Sequence, residues 1–204
     1  MTVLKVGIIG CGGIARGKHF PSLAQVKEVE MVAFCDIVLE RAEEAQEQYG
    51  TADSQVFSDY KEMLAAMDLD VVHVCTPNVS HAEISIAALE AGNHVMCEKP
   101  MAKTTAEARE MIEVAKRTGK KLTIGYQNRF ATESRYLQEV CAAGELGEIY
   151  SAKAHAIRRR AVPTWGVFLD EEAQGGGPLI DIGTHALVLT LWMMDNYKPK
   201  YVVG

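Results

Sequence analysis

Val6-Gly7-Ile8-Ile9-Gly10-Cys11-Gly12-Gly13-Ile14-Ala15 is the stretch on which the fold turns. It closes a short apolar run, residues 4–10, of the kind that forms a strand buried on both faces. The part after the run reads G-x-G-x-x-A and leads into a helical pattern at 14–26. Gly10 permits a tight turn, Gly12 lets the backbone approach a pyrophosphate, and Ala15 keeps helix and strand close. Gly13 and Ile14 open the helix, whose free N–H groups and dipole favour an anion. Strand, loop and helix in that order read as a dinucleotide-binding turn; without a ligand the same glycines make only a strand-to-helix connection. Asp36 closes the next apolar run, where a carboxylate accepts from the ribose 2′-hydroxyl of NAD and repels the 2′-phosphate of NADP. Ile37 and Val38 bring no positive charge, so NAD is favoured; Arg41 keeps NADP as the less favoured alternative.

Outward from this stretch the same texture continues. Short apolar runs at 31–36, 71–76, 94–98 and 121–126 alternate with helical patterns at 39–49, 60–67, 82–91 and 106–118. That alternation predicts βαβ units and a parallel sheet. Gly92 and Gly119 mark helix ends, Ser58 or Asp59 supplies one N-cap, and Thr104 or Thr105 another. After residue 126 the texture changes. A helical pattern at 133–143 ends at Gly144, and a strand-like stretch follows at 148–160. A loop-rich segment holds Pro163, Trp165 and Gly175-Gly176-Gly177. An apolar helix at 178–194 and a strand-like tail at 200–204 end the sequence. Two domains are therefore expected, 1–126 and 127–204, the second unfinished.

Composition narrows the function. The 204 residues are 48% hydrophobic and 24% charged, which is ordinary for a globular protein and excludes disorder. A net charge of -6 argues against a nucleic-acid partner, and Arg158-Arg159-Arg160 is too short a basic cluster to reverse that. No apolar run reaches the roughly 18 residues of a membrane helix, so no membrane partner is expected. The five cysteines form no C-x-x-C pair, so neither a disulfide framework nor a metal site is indicated, and a reducing cytoplasm fits.

Three further motifs carry chemistry. Glu98-Lys99-Pro100 closes a strand where open parallel sheets bind ligands, and a lysine there can polarise a carbonyl or stabilise an alkoxide; a surface lysine before a loop proline, cis or trans, is the plainer reading. Thr76-Pro77-Asn78-Val79-Ser80-His81 follows another strand at the same edge, as cofactor contacts or as a helix cap. Asp181 and His185 stand four residues apart on one helix face, where the carboxylate can orient the imidazole or merely pair with it.

Taken together, these segments resemble the glucose–fructose oxidoreductase, inositol dehydrogenase and MocA (Gfo/Idh/MocA) family. The resemblance runs the length of the chain: G-C-G-G-I-A at 10–15, Asp36, T-P-N-x-x-H at 76–81, E-K-P at 98–100, Asn128-Arg129-Phe130, and G-G-G-x-x-x-D-I-G-x-H at 175–185. It implies an α/β protein: a Rossmann domain, then an α/β domain with a mixed, mostly antiparallel sheet that supports a homo-oligomer in the full-length form. Members of the family are longer, so the chain is read as lacking the C-terminal part. By resemblance Lys99, Asp181 and His185 are catalytic, with His185 the proton acceptor. Gly10, Gly12, Gly13, Ile14, Ala15, Asp36, Thr76, Pro77, Asn78, His81, Glu98 and Lys99 belong to the cofactor site. Arg129 lies near the pocket mouth, and Gln127 and Trp165, with Tyr126, Arg158 and Arg159, are candidate substrate contacts. Val188 departs from the family pattern, where many members carry an aspartate that is not the proton acceptor.

The function this implies is NAD-dependent hydride transfer between the nicotinamide and a secondary alcohol of a sugar, polyol or related substrate. Two alternatives stand beside it. One is a glycosidase or lyase that recycles its NAD; the other is a non-catalytic NAD-binding regulator or inactive fragment.

Overall fold

The computed structural model describes residues 3–157, 159, 160 and 162–203, so Arg158 of the basic cluster lies outside the described residues. The chain divides into two compact units, Met1–Gly125 and Tyr126–Gly204. The first holds six strands: β1 (Leu4–Ile9), β2 (Val29–Cys35), β3 (Gln55–Phe57), β4 (Val71–Val74), β5 (His94–Cys97) and β6 (Leu122–Ile124). All pair in parallel, in the order β3-β2-β1-β4-β5-β6. The order reverses between β1 and β4, and ligands bind such sheets beyond the carboxyl ends of the strands at that reversal.

Helices cover both faces. A π-helical turn (Ala15–His19) runs into α1 (Phe20–Leu23); α2 (Leu39–Tyr49), α3 (Tyr60–Ala66), α4 (His81–Glu90) and α5 (Thr105–Thr118) follow. Val6, Ile8, Met31 and Phe34 pack with Phe20, Ala42 and Ala45 in one core. Val72, Val74, Val95 and Cys97 pack with Met63, Ala88, Leu89, Met111 and Val114 in the other. Helix ends are chemically marked. Asp59 caps α3 by accepting from the Lys61 amide, and Thr104 and Glu107 close a reciprocal capping box on α5. Gly119 ends α5 in the left-handed conformation. The one strand that the sequence pattern omits is β3, three residues at the sheet edge with little apolar signal.

The second unit holds α6 (Thr132–Ala142), α7 (Glu171–Gln174), a π-helical turn (Leu179–Gly183) and α8 (Thr184–Met194). The mixed, mostly antiparallel sheet expected there is corrected: the sheet of this structure is all parallel, and no strand lies among the described residues of 126–204. Tyr150 and Ile157 in the expected strand are 91% and 81% exposed, and a strand with no neighbour to receive its hydrogen bonds does not persist. One segment stands beside the expectation of no apolar run of membrane length. By length and composition alone, the segment Glu171–Met194 is long and apolar enough to cross a membrane. Gly175-Gly176-Gly177, Asp181 and His185 interrupt the apolar letters, which is why a count of consecutive apolar residues passes over it.

The capping box and the core make separable contributions. Thr104→Ala lowers unfolding free energy by about 1 kcal/mol, whereas Met111→Ala, which empties a fully buried position, costs about 2–5 kcal/mol. Urea denaturation of the two variants checks the contrast.

Candidate active site

The glycine loop is built by a close approach. Gly10 has φ +92°, and a Cβ there would lie 2.8 Å from the Cys75 carbonyl carbon and oxygen. Only glycine takes that conformation against that peptide at no cost. The loop is then tied to β2 from both sides: the Gly10 amide donates to the Cys35 carbonyl at 2.8 Å, and the Cys11 amide to Asp36 Oδ2 at 2.8 Å. Asp36 Oδ1 accepts from the Val38 amide at 2.9 Å, and the Arg41 guanidinium stands 4.0 Å from the same oxygen. An ionised carboxylate has about four acceptor positions, so Asp36 retains capacity for a ligand hydroxyl. Cβ positions at Gly12 and Gly13 meet nothing within 4 Å, which leaves open space over the loop. These features fit a dinucleotide pyrophosphate and ribose.

Arg16 braces the same corner. Its Nε donates to the Cys11 carbonyl at 3.0 Å, and its guanidinium pairs with Glu44 of α2 at 2.7 Å. Burial, then the Asp36 charge, pushes the Cys11 and Cys35 thiols up to about 12, so they serve as inert small core groups.

Thr76, Pro77 and Asn78 leave the end of β4, and Glu98, Lys99 and Pro100 the end of β5, at one edge of the sheet. The Lys99–Pro100 bond is cis. His81 straps the two segments together. Its Nε2 lies 2.8 Å from the Thr76 carbonyl and its Nδ1 2.7 Å from the Pro100 carbonyl, with the ring fully buried. A neutral imidazole has one N–H and donates to one carbonyl; an imidazolium serves both. Burial holds the His81 pKa below its ordinary value, and the two carbonyls and Glu98 pull it back. Glu98 faces inward. Its Oε1 takes His19 Nε2 at 2.9 Å and its Oε2 takes the Lys99 amide at 3.1 Å. Burial pushes the Glu98 carboxyl up, but the His19 bond and charge and the Lys99 amide and charge together hold it below its ordinary value.

In the second unit, Asp181 lies on the π-helical turn and His185 on the first turn of α8. His185 is buried, with the Tyr126 ring edge-on at 6.0 Å between centroids. The Tyr126 hydroxyl bonds the Thr184 hydroxyl at 2.9 Å, tying the start of this unit to the start of α8. The Arg129 guanidinium stacks 4.4 Å from the Trp192 ring centroid. Gln127 is exposed, and Trp165 is exposed with Phe168 edge-on at 5.7 Å.

Three comparisons bear on this arrangement. Residues 4–126 match the family described as "Oxidoreductase family, NAD-binding Rossmann fold", and residues 134–203 match the "GFO/IDH/MocA C-terminal domain". The chain belongs to the Gfo/Idh/MocA oxidoreductase family. A D-glucoside 3-dehydrogenase of Escherichia coli is 47% identical over 98% of this chain and 56% of its own length. An inositol 2-dehydrogenase of Salmonella typhimurium is 34% identical over 79% of this chain and 48% of its own. Among solved structures, the WlbA dehydrogenase from Bordetella pertussis, in complex with NADH and UDP-GlcNAcA, superposes with a TM-score of 0.84 at 26% identity. It covers 94% of this chain and 55% of its own. The chain thus spans about half the length of the curated relatives it matches.

Within this Gfo/Idh/MocA chain, sequence reading passed over Arg16, His19 and His73 as builders of the site, and named Tyr126 only as a candidate substrate contact. A signal for two of them was available: His73 is the one polar letter in the apolar strand Val71-Val72-His73-Val74, and His19 the last residue before Phe20-Pro21.

The low pKa of Glu98 makes a pH prediction. A carboxyl held lower in the folded state than in the unfolded one adds stability above its ordinary pKa of 4.5, lost as pH falls through the folded value. Glu98→Gln removes that contribution. Urea midpoints measured from pH 7 down to 3 fall less steeply below 4.5 in this variant than in the wild type.

Proposed function

We propose that this chain carries the NAD site and catalytic residues of a cytoplasmic dehydrogenase that oxidises a secondary alcohol of a sugar or polyol. The observation that carries the reading is one sheet edge holding both the glycine loop tied to Asp36 and the Glu98-Lys99-Pro100 turn. The similarity to dehydrogenases named for glucosides and inositol supports the substrate class.

Gly10, Gly12, Gly13, Ile14 and Ala15 would hold the pyrophosphate, Asp36 the adenosine ribose, and Thr76, Pro77, Asn78, His81 and Glu98 the nicotinamide end. When bound, the nicotinamide supplies hydride transfer chemistry. His185 accepts the proton of the substrate hydroxyl, and Asp181 orients the imidazole. Lys99 donates to the same oxygen and stabilises its developing negative charge. NAD is preferred to NADP, because the Asp36 carboxylate repels a 2′-phosphate and Arg41 is drawn toward that carboxylate. Gln127, Arg129 and Trp165 contribute to substrate binding. The domain roles follow: 1–126 binds NAD, and 127–204 contributes to substrate binding and to assembly of a homo-oligomer. A net charge of -6 supports a small-molecule substrate over nucleic acid, and free cysteines support the cytoplasm. No membrane partner is proposed.

A panel of glucosides and inositols with NAD tests the reading through NADH absorbance. Accumulating NADH supports it; substrate turnover without net NADH contradicts it and points to cofactor recycling. Lys99→Ala should lower kcat about 10²–10⁴-fold, as loss of a positioned acid does, while NAD still binds. Normal turnover in that variant would remove Lys99 from the mechanism.

A further inference from the structure

Two histidines outside the sequence motifs meet beneath the Glu98-Lys99-Pro100 turn. His73 sits in β4 between Val72 and Val74, whose side chains enter the core on the opposite face. His19 ends the π-helical turn behind the glycine loop. Their Nδ1 atoms are 2.9 Å apart, and His19 Nε2 is 2.9 Å from Glu98 Oε1.

The proton inventory fixes the direction of the bond to Glu98. An ionised carboxylate only accepts, so His19 Nε2 carries the proton in its bond to Glu98. With His19 neutral, its Nδ1 accepts and His73 Nδ1–H donates into it. With His19 cationic, both of its nitrogens donate, and the bond to Glu98 is the same. Burial, then the His19 charge, pulls His73 down to about 4, which leaves it neutral at physiological pH. The carboxylate packs directly over Gly125, where an added Cβ would lie 3.2 Å from its carboxyl carbon. Its second oxygen takes the Lys99 amide.

We propose that His19 and His73 are positioning residues for Lys99. They hold Glu98 in the orientation whose second oxygen fixes the Lys99 amide, and so set the turn from which the Lys99 ammonium is presented. The catalytic consequence rests on the role proposed for Lys99; the positioning does not.

The test uses the whole chain, with Lys99 amide exchange and the Glu98 carboxyl followed by NMR. His19→Ala should speed Lys99 amide exchange roughly 10-fold or more, as loss of a hydrogen bond to a charged group does. It should also raise the pH at which Glu98 titrates. His19→Gln, whose Nε2 can still donate to Glu98, should recover most of both effects, and His73→Val should show a smaller version of each. Unchanged Lys99 exchange in a folded His19→Ala chain overturns the proposal. So does a folded His19→Gln chain that behaves like His19→Ala. Should His19→Ala not fold, His19→Gln and His73→Val decide alone: wild-type Glu98 titration and Lys99 exchange in His73→Val would overturn the proposal. Normal turnover by Lys99→Ala would instead remove the catalytic reading and leave these two measurements to judge positioning.

Discussion

The structure depends on one close approach, the Gly10 backbone against the Cys75–Thr76 peptide. A Cβ at Gly10 would lie 2.8 Å from the Cys75 carbonyl, so the end of β1 and the segment after β4 can meet only through glycine. That contact stands at the reversal of strand order between β1 and β4. It also turns the chain so that the Gly10 and Cys11 amides reach the Cys35 carbonyl and the Asp36 carboxylate. One steric constraint thereby connects three strand ends.

Buried polar groups complete the edge. Unpaired, each would cost several times what its hydrogen bond returns when made. Here Asp36, His81, Glu98 and His19 all have partners, and those partners are mostly backbone groups of the loops that leave β1, β4 and β5. Polar satisfaction and loop placement are therefore the same set of bonds. A substitution at any of these positions acts on the loops before it acts on chemistry.

The first unit was legible in the sequence because its signals are local. Glycine spacing, apolar runs and caps such as Asp59 and Thr104 are each set by a few neighbouring residues. β3 escaped because three edge residues make too short a pattern. His19 and His73 escaped because their partnership joins residues distant in sequence, and neither alone says more than a histidine in an apolar setting. In the second unit, alternation around Ile149–Ala154 suggested a strand, but alternation cannot supply a hydrogen-bonding neighbour. The catalytic roles proposed for Lys99, Asp181 and His185 rest on resemblance, since their spacing alone also suits a surface lysine and a helix ion pair.

Calorimetric titration of the chain with NAD and then NADP tests the central claim, that the Gly10 loop and Asp36 form a working NAD site. The account predicts saturable NAD binding at least about tenfold tighter than NADP. Equal or tighter NADP binding, or no binding of either by a chain that melts cooperatively, would contradict it.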